Sequence, residues 1–500
     1  MTGTARTQSA RSAFIRLRPL EVAGALLFIW SIAAMAGFAA YHQGRFSLLP
    51  AYAAFILYLT VMSLPVVMPG NDAGLFNPVL YYVLCFGLLG LVRSDAPLAA
   101  GIMESHRAMP HFTQEMLDGV VAKNFLLKTL SLLGLYAGCS LMPYVRFRKL
   151  PVIRPKALRL KTFVFLVLAG VGVLVLLFKA GGLGGLLMQR GLPAFERIRA
   201  TTGAHWHFLA GIATVVPVIW LAFRPAALRS LTYWMATVTS LAFVFLARGS
   251  RSYVLVVLIL MGMAWMLLWR RIPYKVIFAG AVFSILLLGV LGEFRRSTQG
   301  KDKDISDASV EADVGEAFQS GIEDLSARGV DESGAIAVMG RVPSEVPYLY
   351  GRSYLAMPFV FIPAALMGGD KPHAAGKLNA QIVHDRDFTG IPPGTVGEAY
   401  WNFSWFGPFL IFFVYGALLK IVAGLYLQNH DNPLAVAFYV SILFRFRPGS
   451  DAWFDFVHAI VPMIVFIAFL AFPFGTASRR RPVRSAPAVP QASLGGASPT

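Results

Sequence analysis

The run VAGALLFIWSIAAMAGFAA, from Val22 to Ala40, contains no charged side chain and follows Arg6, Arg11, Arg16 and Arg18. A hydrocarbon core about 30 Å thick calls for roughly 17–25 mostly apolar residues per helix, so this run is long enough to span. The arginines ahead of it resemble the start of a signal peptide, but the length of the run predicts an uncleaved first helix. Similar blocks recur near 46–68, 75–92, 162–178, 205–223, 230–247, 252–269, 276–292, 399–419 and 459–475. The block 124–144 joins them despite Lys128. The run 433–444 is short and spans only if tilted or extended toward Arg445.

Composition agrees with that pattern. With 56% hydrophobic and 14% charged residues over 500 positions, the chain has more apolar surface than one soluble core can hide. The net charge of +18 raises the question of nucleic acid, but the lysines and arginines sit between apolar blocks, which points to topology and not to a nucleic-acid face. Cys85 and Cys139 each lie inside an apolar block without CxxC or Cys/His spacing, so neither a disulfide framework nor a metal site is indicated.

Basic residues mark the cytoplasmic loops of a membrane protein. Arg146, Arg148, Lys149, Arg154, Lys156, Arg159 and Lys161 fall on the same side as the first arginines, as do Arg224 and Arg229, then Arg270, Arg271 and Lys275. About twelve spans return Arg479, Arg480, Arg481 and Arg484 to that side. The expected class is therefore all-α, a polytopic membrane bundle with both termini cytoplasmic. Its parts are an arm (1–20), a bundle (21–292), a large outward segment (293–398), a second bundle (399–475) and a disordered tail (476–500). Within the outward segment, 355–369 contains Pro358 and Pro363 and is expected to be re-entrant or interfacial.

The outward ends hold the polar residues that invite a functional reading. Arg248 and Arg251 stand three apart, on one face if helical. A guanidinium offers forked hydrogen bonds to phosphate, so the pair suits an anionic headgroup; snorkelling to ordinary lipid is the alternative. Arg445 and Arg447, followed by Asp451 and Asp455, repeat the theme, with interfacial anchoring as the competing reading. Arg352 opens the proline-bearing stretch. Arg190, Arg197 and Arg199 follow a Gly-rich turn on an amphipathic stretch suited to interface or substrate binding. Glu398 stands at the mouth of a helix dense in aromatics, either as a cap of that helix or as a base or orienting group beside Tyr400 and Trp401, whose rings suit sugars. His373 is a loop histidine available for proton transfer, whereas His205 and His207 read as interfacial packing.

Taken in order, these stretches resemble the oligosaccharide repeat-unit polymerases of bacterial envelopes, the Wzy type. The resemblance rests on Gly181 to Arg199, on Arg-Gly-Ser-Arg at 248–251, on Gly351-Arg-Ser-Tyr, on Gly397-Glu-Ala-Tyr-Trp-Asn-Phe-Ser-Trp-Phe-Gly, and on a late arginine followed by Gly and Asp. Related polymerases often read Asn-Phe-Gly where this chain has Asn-Phe-Ser, and a compact Arg-Gly-Asp where it has Arg-Pro-Gly-Ser-Asp.

The resemblance implies a bacterial inner-membrane glycosyltransferase of GT-C-like architecture. Such an enzyme transfers a growing glycan from its polyprenyl diphosphate carrier to an incoming lipid-linked repeat unit at the periplasmic face, making O-antigen, capsule or exopolysaccharide. It implies neither cofactor nor metal, since fixed arginines can stabilise the departing diphosphate. Arg248, Arg251, Arg352 and Arg445 are the expected diphosphate contacts and Glu398 the base or acceptor-aligning group. Flippase and chain-length regulator are the expected protein partners, and no nucleic acid is expected. An O-antigen ligase, and a secondary transporter or polysaccharide exporter, remain the alternatives.

Overall fold

The structure is a computed structural model that describes residues 14–15, 17–44, 46–68, 74–101, 112–143, 145–153, 155–188, 204–248, 251–275, 277–280, 282, 332–362, 367, 372–385 and 390–472. Among the described residues every regular element is helical. The long ones are α1 (Pro19–His42), α2 (Leu49–Val67), the run α3 (78–99), α4 (Gln114–Leu141), α5 (Leu158–Lys179), α6 (His205–Phe223), α7 (Leu231–Arg248) and α8 (Arg251–Trp269). After them come α9 (Ser333–Arg341), α10 (Gly394–Phe403), α11 (Phe406–Gln428), α12 (Pro433–Arg445) and α13 (Ser450–Ala471). Among the described residues seven helices are long and apolar enough to cross a membrane, and four shorter apolar ones accompany them, so the chain is an α-helical membrane protein.

Several expected boundaries move, and the block expected at 124–144 becomes a helix that starts ten residues earlier, at Gln114. The run expected at 399–419 is divided: α10 ends at Phe403, Ser404 takes φ 55° and ψ −151°, and α11 starts at Phe406. The last helix begins at Ser450 and not near 459, because its first turn is polar and a hydropathy reading sees only the apolar remainder. Pro433–Arg445 is indeed a helix of 13 residues. The described part of 355–369 forms short 3-10 turns, Tyr354–Ala356 and Pro358–Phe361.

Packing fixes the relative directions of the helices. The α4–α11 contact is built on Gly134, Gly138 and Gly416: a Cβ on Gly134 would lie 2.3 Å from the Phe409 carbonyl oxygen, one on Gly138 2.1 Å from that of Phe413, and one on Gly416 2.4 Å from that of Leu135. Rising numbers meet rising numbers, so these two helices run parallel. Small residues let the backbones approach where no hydrophobic force separates helix from lipid. α2 and α4 are also parallel, for Ser47 bonds to Asp118, Phe55 packs on Phe125 and the Tyr136 hydroxyl donates to the Val61 carbonyl. α5 and α13 are antiparallel: Lys161 meets Leu470 while Phe165 stacks on Phe466 at 4.4 Å.

Polar contacts gather at two opposite ends. At the basic end the Lys161 Nζ donates to the Leu470 and Phe472 carbonyls, Gln428 and Asn429 bond to the backbone of 145–150, and Arg270 approaches Asp431. At the other end Gln43 reaches Ala100, Lys128 meets Asp95 and Glu332, and Ser353 meets Glu398. Of the residues expected inward by their charge, those with described contacts, such as Lys161 and Arg270, lie at the first end. Those singled out as outward, where described, lie at the second.

Candidate functional site

Pro392 and Pro393 steer the chain into α10, and Gly397 lets it close on α9, where an added Cβ would come within 3.3 Å of the Ala335 Cα. The next residue, Glu398, is 2% exposed. Its Oε1 accepts a hydrogen bond from Ser353 Oγ at 2.6 Å and its Oε2 accepts one from the Ser450 backbone N–H at 2.9 Å. Ser450 is the first residue of α13, whose N-cap is Gly449 and has no side chain to offer. Glu398 therefore caps a helix, but not its own. It sits past the first turn of α10, where backbone N–H groups already have partners, and satisfies an orphan donor at the positive end of α13 instead.

The knot extends on both sides. Asn402, one turn along α10, donates to Ser353 Oγ at 2.9 Å and to the Glu398 carbonyl at 2.8 Å. The first turn of α13 passes the capping on: Ser450 Oγ accepts from the Ala375 N–H at 2.9 Å and Asp451 Oδ2 from the Gly376 N–H at 2.8 Å. Further along α13, Asp455 accepts from the Tyr253 hydroxyl at 3.0 Å, which brings the start of α8 to the same end.

Electrostatics mark Glu398 out. Burial pushes its carboxyl up to about 7; the Ser353 and Ser450 hydrogen bonds oppose that rise and Asp451 adds to it. Burial, then the neighbouring Glu398 charge, holds the Tyr354 hydroxyl well above the usual tyrosine range. The Tyr354 hydroxyl and Asn402 Oδ1 are both buried without a hydrogen-bond partner in the structure. A carboxyl near neutrality flanked by unsatisfied polar atoms is equipped to exchange a proton with a hydroxyl-bearing guest.

The expected site residues divide into groups. Arg352 is exposed on the turn beside Ser353, and its N–H is held by the Leu349 carbonyl. Arg445 closes α12, and Arg447 is exposed with its guanidinium 4.4 Å from the Phe86 ring centroid. His373 is half-buried just ahead of the 375–378 turn that Ser450 and Asp451 cap. Arg248 ends α7 and Arg251 begins α8; their side chains, like Arg190, Arg197 and Arg199 entire, lie outside the described residues.

Tyr400 and Trp401 differ from expectation. Both rings are buried in the largest hydrophobic cluster, Trp401 donating to the Pro347 carbonyl and Tyr400 to that of Val342, so their faces meet protein and not a sugar. No protein-family model, curated protein or solved structure matches this chain.

Sequence reasoning passed over Ser353, Asn402 and Ser450, which are ordinary polar residues until the fold brings them to Glu398. It also passed over Asp95 and Glu332, the partners of Lys128. The signal for that second group was present: a lysine inside an apolar helix needs a partner.

Proposed function

We propose that this chain is a membrane glycosyltransferase that polymerises polyprenyl-diphosphate-linked repeat units on the outward face of a bacterial inner membrane. The observation that carries the reading is the Glu398 knot. Three of the stretches behind the family resemblance, 351–354, 397–404 and 445–451, are joined through one buried carboxylate, although they are far apart in sequence. Ser404 supports it independently. Its φ of 55° with ψ −151° belongs to a region almost reserved for glycine, which accounts for glycine at this position in the pattern Asn-Phe-Gly.

In this reading the arginines at that end, Arg352, Arg445 and Arg447 with Arg248 and Arg251, bind the diphosphate and stabilise charge on the departing lipid. Glu398 accepts the proton of the attacking sugar hydroxyl as the bond from the anomeric carbon to the diphosphate oxygen breaks. A carboxyl with a value of about 7 matches that task, because the best general base lies near the working pH. Asp451 and His373 border the same knot and act in binding. Tyr400 and Trp401 belong to its scaffold.

The topology that goes with this function has about twelve passes and cytoplasmic termini. α8 leaves the chain at the basic end, by Arg270, whereas Glu332 and α9 stand at the other. We assign the crossing between them to the apolar run 276–292.

The test is reconstitution with lipid-linked repeat units. A ladder of lengthened glycans that Arg352→Lys and Glu398→Gln both abolish is the expected result. Transfer to a lipid A core without lengthening identifies a ligase, and solute accumulation without glycan product identifies a transporter.

A further inference from the structure

A second polar cluster stands at the same end of the bundle and takes no part in the reaction proposed above. The Lys128 Nζ, from within α4, donates to Asp95 Oδ1 at 2.5 Å and to Glu332 Oε1 at 2.7 Å. Glu332 also accepts from Asn124 Nδ2 at 3.0 Å and from Ser94 Oγ at 3.0 Å. Asp95 is 1% exposed, and Asn124 is fully buried with Oδ1 lacking a partner. The backbone before Asp95 is unusual: Ala96 N–H bonds to the Leu91 carbonyl, five residues back, making a wide turn over Leu91–Asp95. Such turns add one residue to the helical phase and are frequent at functional sites.

One ammonium and two carboxylates carry a net charge of −1 where water is largely excluded, and an uncompensated buried charge is strongly disfavoured. One proton makes the cluster neutral. The two carboxyls do not compete for it equally. Glu332 stands at the N-cap of α9, at the positive end of that helix. Burial pushes its carboxyl up, but Lys128, Asn124 and Ser94 outweigh burial and hold it below the ordinary range. Asp95 has Lys128, a long contact of 3.5 Å from Ser94, and the Tyr58 hydroxyl of α2 within reach. Among the described residues Tyr82 of α3 and Tyr136 of α4 are the further titratable neighbours, with Arg447 the next cation beyond Tyr82. Two carboxyls sharing one cation in a dry site divide in this way: the better-solvated one ionises and the other keeps a proton.

We propose that Asp95, Lys128 and Glu332 form a buried proton-binding site that holds one exchangeable proton on Asp95 and fixes α9 between α4 and α10. The second half follows from what α9 touches. Lys123, on α4, donates to the Met339 carbonyl at 2.7 Å, and on the far side Ala335 receives Gly397, the neighbour of Glu398. A helix fastened at one end by the triad thus abuts the helix that bears the candidate site. The proposal does not depend on the glycan chemistry.

Infrared difference spectroscopy on the protein in lipid nanodiscs tests it. A Glu398→Gln background removes the raised carboxyl of the candidate site. At neutral pH a C=O stretch of a protonated carboxylic acid is expected, shifting in D2O as an exchangeable proton requires. Asp95→Asn should abolish it. Glu332→Gln should abolish it too, because Lys128 then pairs with a single ionised carboxylate; this variant serves if Asp95→Asn does not fold. Lys128→Met leaves two carboxyls without a cation and should raise the band about twofold. Exposed Glu345→Gln should leave it unchanged. Absence of a band sensitive to either triad carboxyl, or a band that does not move in D2O, overturns the proposal.

Discussion

Glu398 gains its character from a partner 52 positions away, the Ser450 N–H, which no local reading of the sequence supplies. The residue itself was legible, since a lone carboxylate beside an aromatic run is conspicuous; its role as cap of another helix was not. Because burial raises its value to about 7, above the ordinary carboxylate range, the folded state binds this proton more tightly than the unfolded chain. The associated stability is complete below the unfolded value, about 4.3, and disappears as pH rises through about 7. The midpoint of thermal unfolding in nanodiscs should therefore fall between about pH 5 and about pH 8, and Glu398→Gln, which resembles the protonated acid, should flatten that slope. An equal slope in both proteins rules out Glu398 as its source. Ser404 carries a different cost. Ser404→Gly relieves a strained backbone of order 1–3 kcal/mol but loses the bond between its hydroxyl and that of Tyr348 at 3.0 Å, of about 1 kcal/mol. Ser404→Ala loses the bond and keeps the strain. The order of thermal midpoints should be Gly at or above Ser, with Ala below both.

Among elements, apolar length was the readable quantity. Among the described residues it located helices such as 19–42, 158–179 and 251–269 to within a few residues, and failed where a polar turn belongs to the helix, as at Ser450–Asp451, or where one backbone angle divides an apolar run, as at Ser404. What apolar length does not encode is which helix touches which. The glycines do: Gly134 and Gly138 stand four apart on α4 and meet α11 where an added Cβ would strike backbone oxygen at 2.3 and 2.1 Å. Backbone does not yield as a flexible side chain does. Gly138→Leu should therefore separate the helices, lose the contact from the Cys139 thiol to the Gly416 carbonyl at 3.2 Å, and lower the amount of folded protein in detergent. Size-exclusion chromatography reads the outcome against Gly119→Leu, where an added Cβ meets nothing within 4 Å. Equal losses from the two variants would remove the close α4–α11 contact as the cause.

At the scale of the whole molecule, charge along the sequence and contacts in space speak to the same alternation by separate routes. Positive loops assign 145–161, 224–229 and 270–275 to one side by composition alone. The contacts know nothing of that rule, yet they tie 145–150 to 428–429, 161 to 470–472 and 270 to 431, and tie 332 to 95 and 128 at the opposite end. The parallel course of α4 and α11 adds a parity condition. Helices α5 to α8 return the chain to the basic end at Arg270, whereas Glu332 stands at the other, and the crossing proposed between them lets α11 run alongside α4 in the same sense. Side-specific labelling tests that crossing. With Cys85 and Cys139 replaced, Ser306→Cys should react with a membrane-impermeant maleimide in cells whose outer membrane alone is opened, whereas Ser485→Cys should react only after the inner membrane is breached. Labelling of both from one side would remove the crossing proposed at 276–292, and with it the proposed outward position of Glu332 and α9.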